Sequence, residues 1–90
     1  MEFEYDVNKS ISNQEKHGIN FEEAQALWDA PHFVVSVAKV TGEEREIVVG
    51  RIEGEYWTAV TTWRGASMRI ISVRRATGKE RSAYDRYYNG

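Results

Sequence analysis

Apolar residues change their spacing at Pro31. Before it, Phe21, Ala24, Gln25 and Trp28 recur at three- and four-residue intervals, the period of one helix face. After it, "FVVSVAKV" (33–40), "EIVVGRI" (46–52), "YWTAVTTW" (56–63) and "MRIISVR" (68–74) are short runs of β-branched and aromatic residues, which predict four strands. The turn signals "TGEE", "EGE" and "RGAS" separate the runs. Connections this short favour antiparallel hairpins, because parallel neighbours need crossovers of a dozen or more residues.

The helices are delimited by their ends. "EFEY" (2–5) alternates and reads as a short edge strand. Asp6 is placed to cap a helix running to about His17, and Gly18 sits where a left-handed C-terminal residue is wanted. Asn20 with Glu23 forms a capping box for a second helix, which Pro31 stops by forcing its predecessor out of the helical region. Thr77 with Glu80 forms another, opening a last helix that carries Tyr84, Tyr87 and Tyr88. The predicted fold is α+β: a four-stranded antiparallel meander with two N-terminal helices and a C-terminal helix, in one domain spanning 1–90.

Composition narrows the chemistry. Ninety residues with no cysteine exclude a disulfide framework, a thiol nucleophile and a thiolate zinc site. No apolar stretch reaches membrane-span length, and "MEFEYDVNKS" lacks the order of a signal peptide, so a cytoplasmic protein is expected. The net charge of -2 hides an asymmetry: residues 1–63 hold 5 Lys/Arg and 12 Asp/Glu, residues 64–90 hold 7 and 2. The basic end can attract phosphate, attract an acidic protein partner, or pair with the chain's own acidic part.

Only His17 and His32 offer an imidazole, and no compact metal-ligand spacing or glycine-rich phosphate loop is present. Lys16 and His17 end the first helix, where cations suit the macrodipole; the same corner would also expose a proton carrier. Trp63 reads either as core or as a platform for a base. On a regular strand Arg69 and Arg74 have opposite parity and point to opposite faces, so they would not meet one ligand. A bulge within the stretch would overturn that division.

Two blocks, "FEYDVNKSISNQEKHGINFEEAQALWDAP" and "TTWRGASMRIISVRRATGKERSAY", resemble the BrnT family of bacterial toxins, as does "ER-x-I-x-x-G" at 44–50. The resemblance runs nearly the full chain. It implies a RelE-like fold and a metal-independent endoribonuclease that slows translation by cutting RNA, with no cofactor. It also implies a cognate ribbon-helix-helix antitoxin, BrnA-like, that forms a hetero-oligomer with the toxin and supplies the contact to operator DNA. The matching positions are Lys16, His17, Arg64, Arg69 and Arg74, with Glu80, Arg81 and Tyr84 on the last helix. The apolar "FVVSVAKV" and Trp63 stand where relatives are usually polar.

RNA carries its own nucleophile in the 2′-OH. An enzyme must take that proton, stabilise the charged phosphorane and protonate the leaving 5′-oxygen, giving a 2′,3′-cyclic phosphate. The resemblance then assigns charge stabilisation to Arg64 and Arg74 and acid–base work to His17. RNA binding falls to Lys16, Arg69, Trp63 and Arg81, and support to Glu80 and Tyr84. Strand parity leaves Arg69 and Arg75 as partners for the acidic half or the antitoxin. The alternative is a non-catalytic module that docks an antitoxin or RNA through its basic C-terminal part.

Overall fold

The computed structural model describes residues 1–40 and 43–89. In chain order these form β1 (Glu2–Glu4), α1 (Val7–His17), a 3-10 helix (Glu23–Asp29), β2 (His32–Val40), β3 (Glu43–Ile52), β4 (Glu55–Arg64), β5 (Ser67–Arg75) and α2 (Gly78–Asn89). Thr41 and Gly42, the start of the expected "TGEE" turn, lie outside the described residues.

Helix ends follow their capping chemistry. The Asp6 carboxylate accepts from the backbone N–H of Asn8 and Lys9, and Gly18 closes α1 at φ 81°, in the left-handed region that glycine enters without a Cβ clash. Asn20 and Glu23 exchange side-chain-to-backbone hydrogen bonds of 2.7 and 3.0 Å, and Thr77 and Glu80 do the same at 3.2 and 2.8 Å. Asp6→Ala is expected to cost about 1 kcal/mol and to lower the melting midpoint by about 4–8 °C. Asp6→Asn, which keeps the acceptor, should stay close to wild type in the same thermal melt.

The second helix differs from the expected form. It is a 3-10 helix, whose period of three stacks Ala24 directly over Leu27. Both residues are fully buried. Gly50 on β3 permits the close approach: a Cβ there would sit 3.0 Å from Leu27 Cδ2 and 3.2 Å from His32 Cβ.

The four-stranded antiparallel sheet is also corrected, to a five-stranded mixed sheet in the order β1-β5-β4-β3-β2. β1 runs parallel to β5, pairing Phe3 with Met68 and Glu4 with Arg69. β1 thereby covers the start of β5's free edge, from Ser67 to Arg69. The remaining pairs are antiparallel.

α1 and the 3-10 helix cover one face, here called the inner face. Its core joins Ile19, Phe21, Ala24 and Leu27 to Val48, Trp57, Ala59, Ile70 and Val73. α2 lies across part of the opposite, outer face, where Tyr84 packs on Tyr56 and Phe33.

The β4–β5 register shifts between Val60 and Thr61: Val60 pairs with Ser72, but Thr61 pairs with Ile70. Ile71 is thus the extra residue of a bulge. Met68, Ile70 and Val73 consequently all face inward and are buried. Arg69 and Arg74 both face outward, so their expected separation onto opposite faces is overturned.

Candidate functional site: an arginine row on the open sheet face

Strand register places three arginines together on the part of the outer face that α2 leaves uncovered. Arg69 pairs directly with Thr62. On the other side of β4, the β3 register (Glu46 with Thr61) continues to set Arg45 beside Thr62. Arg64 lies two residues further along β4 and so shares Thr62's face. Neighbouring strands are about 4.8 Å apart and strand residues rise about 3.3 Å, so Arg45 and Arg69 flank Thr62 at about 5 Å and Arg64 follows at about 7 Å, measured between backbones.

Local bonds hold this row in place. The Thr62 hydroxyl donates to the Glu44 carbonyl at 2.8 Å, tying β3 to β4 beside Arg45. Arg69 donates to Glu4 at 3.4 Å, a loose contact between half-buried groups. The Nε of Arg45 is buried and meets no acceptor among the described residues. Next to the row, Val60, Ile47 and Ser72 are only partly covered.

Arg74 faces the same way but is otherwise engaged. Its guanidinium grips Glu80 with two hydrogen bonds of 2.8 and 3.0 Å. Glu80 also accepts from the Thr58 hydroxyl and the Thr77 amide, both at 2.8 Å. These bonds, the Arg74 contact first, pull the Glu80 carboxyl down from 4.5 to about 2 against the opposing effect of burial. The Arg74–Glu80 pair fastens the start of α2 to the sheet. Tyr84 extends the fastening: it is buried, and its hydroxyl donates to the Pro31 carbonyl.

The linkage has a defined sign. A carboxyl whose folded value lies below its unfolded one stabilises fully above about pH 4.5 and loses that stabilisation as pH falls through about 2. Glu80→Gln should therefore cost about 2 kcal/mol in urea melts near neutral pH, with the gap to wild type closing as the pH approaches 2. A gap that stayed constant on acidification would contradict the assignment.

Other sequence candidates are distributed around the molecule. His17 and Lys16 are exposed at the end of α1, on the inner-face side. The adjoining Gly18 lines a cleft with Glu53, Glu55 and Trp57, at the end of the sheet opposite Arg64. Seven strand steps separate Trp57 from Arg64, about 23 Å. His17 is therefore not brought to the arginine row. Trp63 is 49% exposed, but it pairs with Met68 and faces inward. Arg81 is exposed in the first turn of α2, its guanidinium 4.7 Å from the Tyr56 ring centre, which Arg51 also approaches, at 4.9 Å. Arg75 pairs with Glu55 and lies over Trp57. Of the candidates, only Arg64, Arg69 and Arg74 share the outer face of the sheet, and only the first two adjoin.

Arg45 escaped the sequence reading because the second strand was started at Glu46. Extending the Ile47/Val49 alternation one step upstream puts Arg45 in phase with them, and that was the available signal.

A family model described as "Ribonuclease toxin, BrnT, of type II toxin-antitoxin system" matches residues 5–80. The chain belongs to the BrnT family. Membership makes it a ribonuclease toxin of a type II system, with an antitoxin as partner. The BrnT match includes the whole arginine row and ends at Glu80, leaving Arg81 and Tyr84 beyond it. None of the curated proteins compared matches the chain. Among the described residues no helix is long and apolar enough to cross a membrane.

Proposed function

We propose that this BrnT toxin is a metal-independent endoribonuclease that inhibits translation in the cytoplasm, and that Arg45, Arg64 and Arg69 hold the scissile phosphate. The observation that carries the reading is the register that pairs Thr62 with Arg69 and Arg64 with Ser67, which puts Arg69 on the face of Arg64 and Arg45. Three forks aimed at one region can stabilise charge that develops on phosphate oxygens, and such stabilisation usually lowers the barrier more than any other single effect. Glu4, beside Arg69, is the carboxylate available to take the 2′-OH proton. Attack by the 2′-oxygen on phosphorus then breaks the bond to the 5′-oxygen, which leaves with a proton from water, and a 2′,3′-cyclic phosphate remains.

His17 and Lys16 do not belong to this centre in the proposal; they serve the helix end, or RNA at a distance. Arg81 extends the basic track along the outer face, and Arg74, Glu80 and Tyr84 hold α2 at its border. The antitoxin is proposed to be BrnA-like, with a ribbon-helix-helix domain that carries the complex to operator DNA.

Purified protein incubated with RNA in excess chelator tests the reaction. The proposal expects cleavage with 2′,3′-cyclic phosphate ends; products bearing only 3′-hydroxyl ends would reject it. A second reading, a docking module without catalysis, draws on the pairing of Arg69, Arg74 and Arg75 with Glu4, Glu80 and Glu55. It predicts a stable antitoxin complex and no cleavage under any condition.

A further inference from the structure

The two edges of the sheet are unlike. The β1 edge is three residues long and carries Glu2 and Glu4, features that discourage pairing with another chain. The β2 edge is the opposite: a nine-residue strand whose outer side pairs with no other strand among the described residues. Its residues 33–37, "FVVSV", contain no charge, proline or glycine. Val34 and Val35 point to opposite faces yet are 48% and 47% exposed, so both sides of the edge are apolar and open. At the border of the outer face Tyr87, 73% exposed, lies tilted against Phe33, while the Tyr88 hydroxyl donates to the His32 carbonyl.

We propose that β2 is a homodimerisation edge, on which a second copy of the chain pairs its own β2 in antiparallel fashion about a two-fold axis through Val35. The side chains select this occupant and this register. Centred on Val35, the pairing sets Phe33 opposite the partner's Val37 and Val35 opposite the partner's Val35. The outer face thus becomes one apolar row, with Tyr87 of each copy at its ends. On the inner face Val34 meets the partner's Ser36. No like charges are opposed, although each chain carries a net -2. The outward backbone groups of Val34 and Ser36 become ladder hydrogen bonds, the His32 carbonyl being held by Tyr88, and ten strands form one continuous sheet. The paired edge includes none of the three arginines, so dimerisation is independent of the ribonuclease reading.

The test uses the absence of native cysteine. Residues directly opposite in an antiparallel pair have Cα atoms about 4.5–5.5 Å apart, within disulfide reach, whereas diagonal neighbours are about 7–8 Å apart. Val35→Cys should therefore cross-link to a single dimeric species under mild oxidation, and Val34→Cys should not. Light scattering on the unmodified chain should give about twice 10.4 kDa, and Val35→Lys should give the monomer mass with an unchanged circular dichroism spectrum. A wild-type chain that stays monomeric throughout a concentration series overturns the proposal, as does cross-linking of Val34→Cys in preference to Val35→Cys. A monomeric chain whose Val35→Lys variant loses antitoxin capture would assign the edge to the antitoxin instead, which also overturns it.

Discussion

Arg69→Ala is expected to slow RNA cleavage by about 10²–10³-fold, the usual loss when one donor to a charged transition state is removed. Arg69 owes its position to its direct pairing with Thr62 and its orientation to Glu4, whose single 3.4 Å contact leaves most of the guanidinium fork available. Lysine restores the charge but not the two-pronged geometry, so Arg69→Lys should recover only part of the rate. The fold should survive both changes, because Arg69 contributes no core contact and its ion pair with Glu4 is half-exposed. Single-turnover cleavage, with thermal melts as a control, checks the expectation. Full activity in Arg69→Ala would remove this residue from the centre.

The largest expected stability effect comes from a polar residue. Asn13 is buried on α1, where its amide donates to the Ile19 carbonyl at 2.8 Å and its oxygen accepts from the Val73 amide at 3.1 Å. One side chain thus joins α1 to the loop after it and to β5 at the bulge's border. β5 needs an acceptor there because β1 covers its free edge only as far as Arg69. Asn13→Leu keeps the volume but leaves a carbonyl and an amide unsatisfied, each at about 1–3 kcal/mol. A loss of about 3–4 kcal/mol is expected, a large share of the stability of a small domain and about 15–25 °C in melting midpoint. Ser10, whose hydroxyl accepts from the Phe21 amide at 2.9 Å, serves a similar purpose with one bond instead of two. A shift of only a few degrees in Asn13→Leu would show that water replaces both contacts.

Much of this architecture was legible because its signals are local. Asp6, Gly18, Asn20 with Glu23, and Thr77 with Glu80 each act within a few residues, and all four occupy the roles their chemistry suggests. The β runs are equally clear, since alternation is a short-range property. What escaped depends on contacts far apart in the chain. β1 joins β5 across more than sixty residues, and no turn announces that pairing.

The Ile71 bulge escaped for a related reason. Between the two arginines of "RIISVR" the adjacent Ile70 and Ile71 break the alternation, and the sequence does not reveal which of them leaves the ladder. The consequence falls on Arg74, because parity counted from Arg69 to Arg74 reverses when one residue is skipped. Arg45 was hidden because the expected strand starts at Glu46, three residues after β3 begins. His17 and Arg64, equally prominent as sequence features, lie at opposite ends of β4 and cannot act on one phosphate.

The most direct test of the proposed centre compares single-turnover cleavage of one RNA by Arg45→Ala and His17→Ala, each verified as folded. With the phosphate held by the arginine row, Arg45→Ala should lose about 10²-fold or more, and His17→Ala should remain within a few-fold of wild type. The reverse order, with His17→Ala inactive and Arg45→Ala unimpaired, would place the chemistry at the far end of α1 and contradict the account.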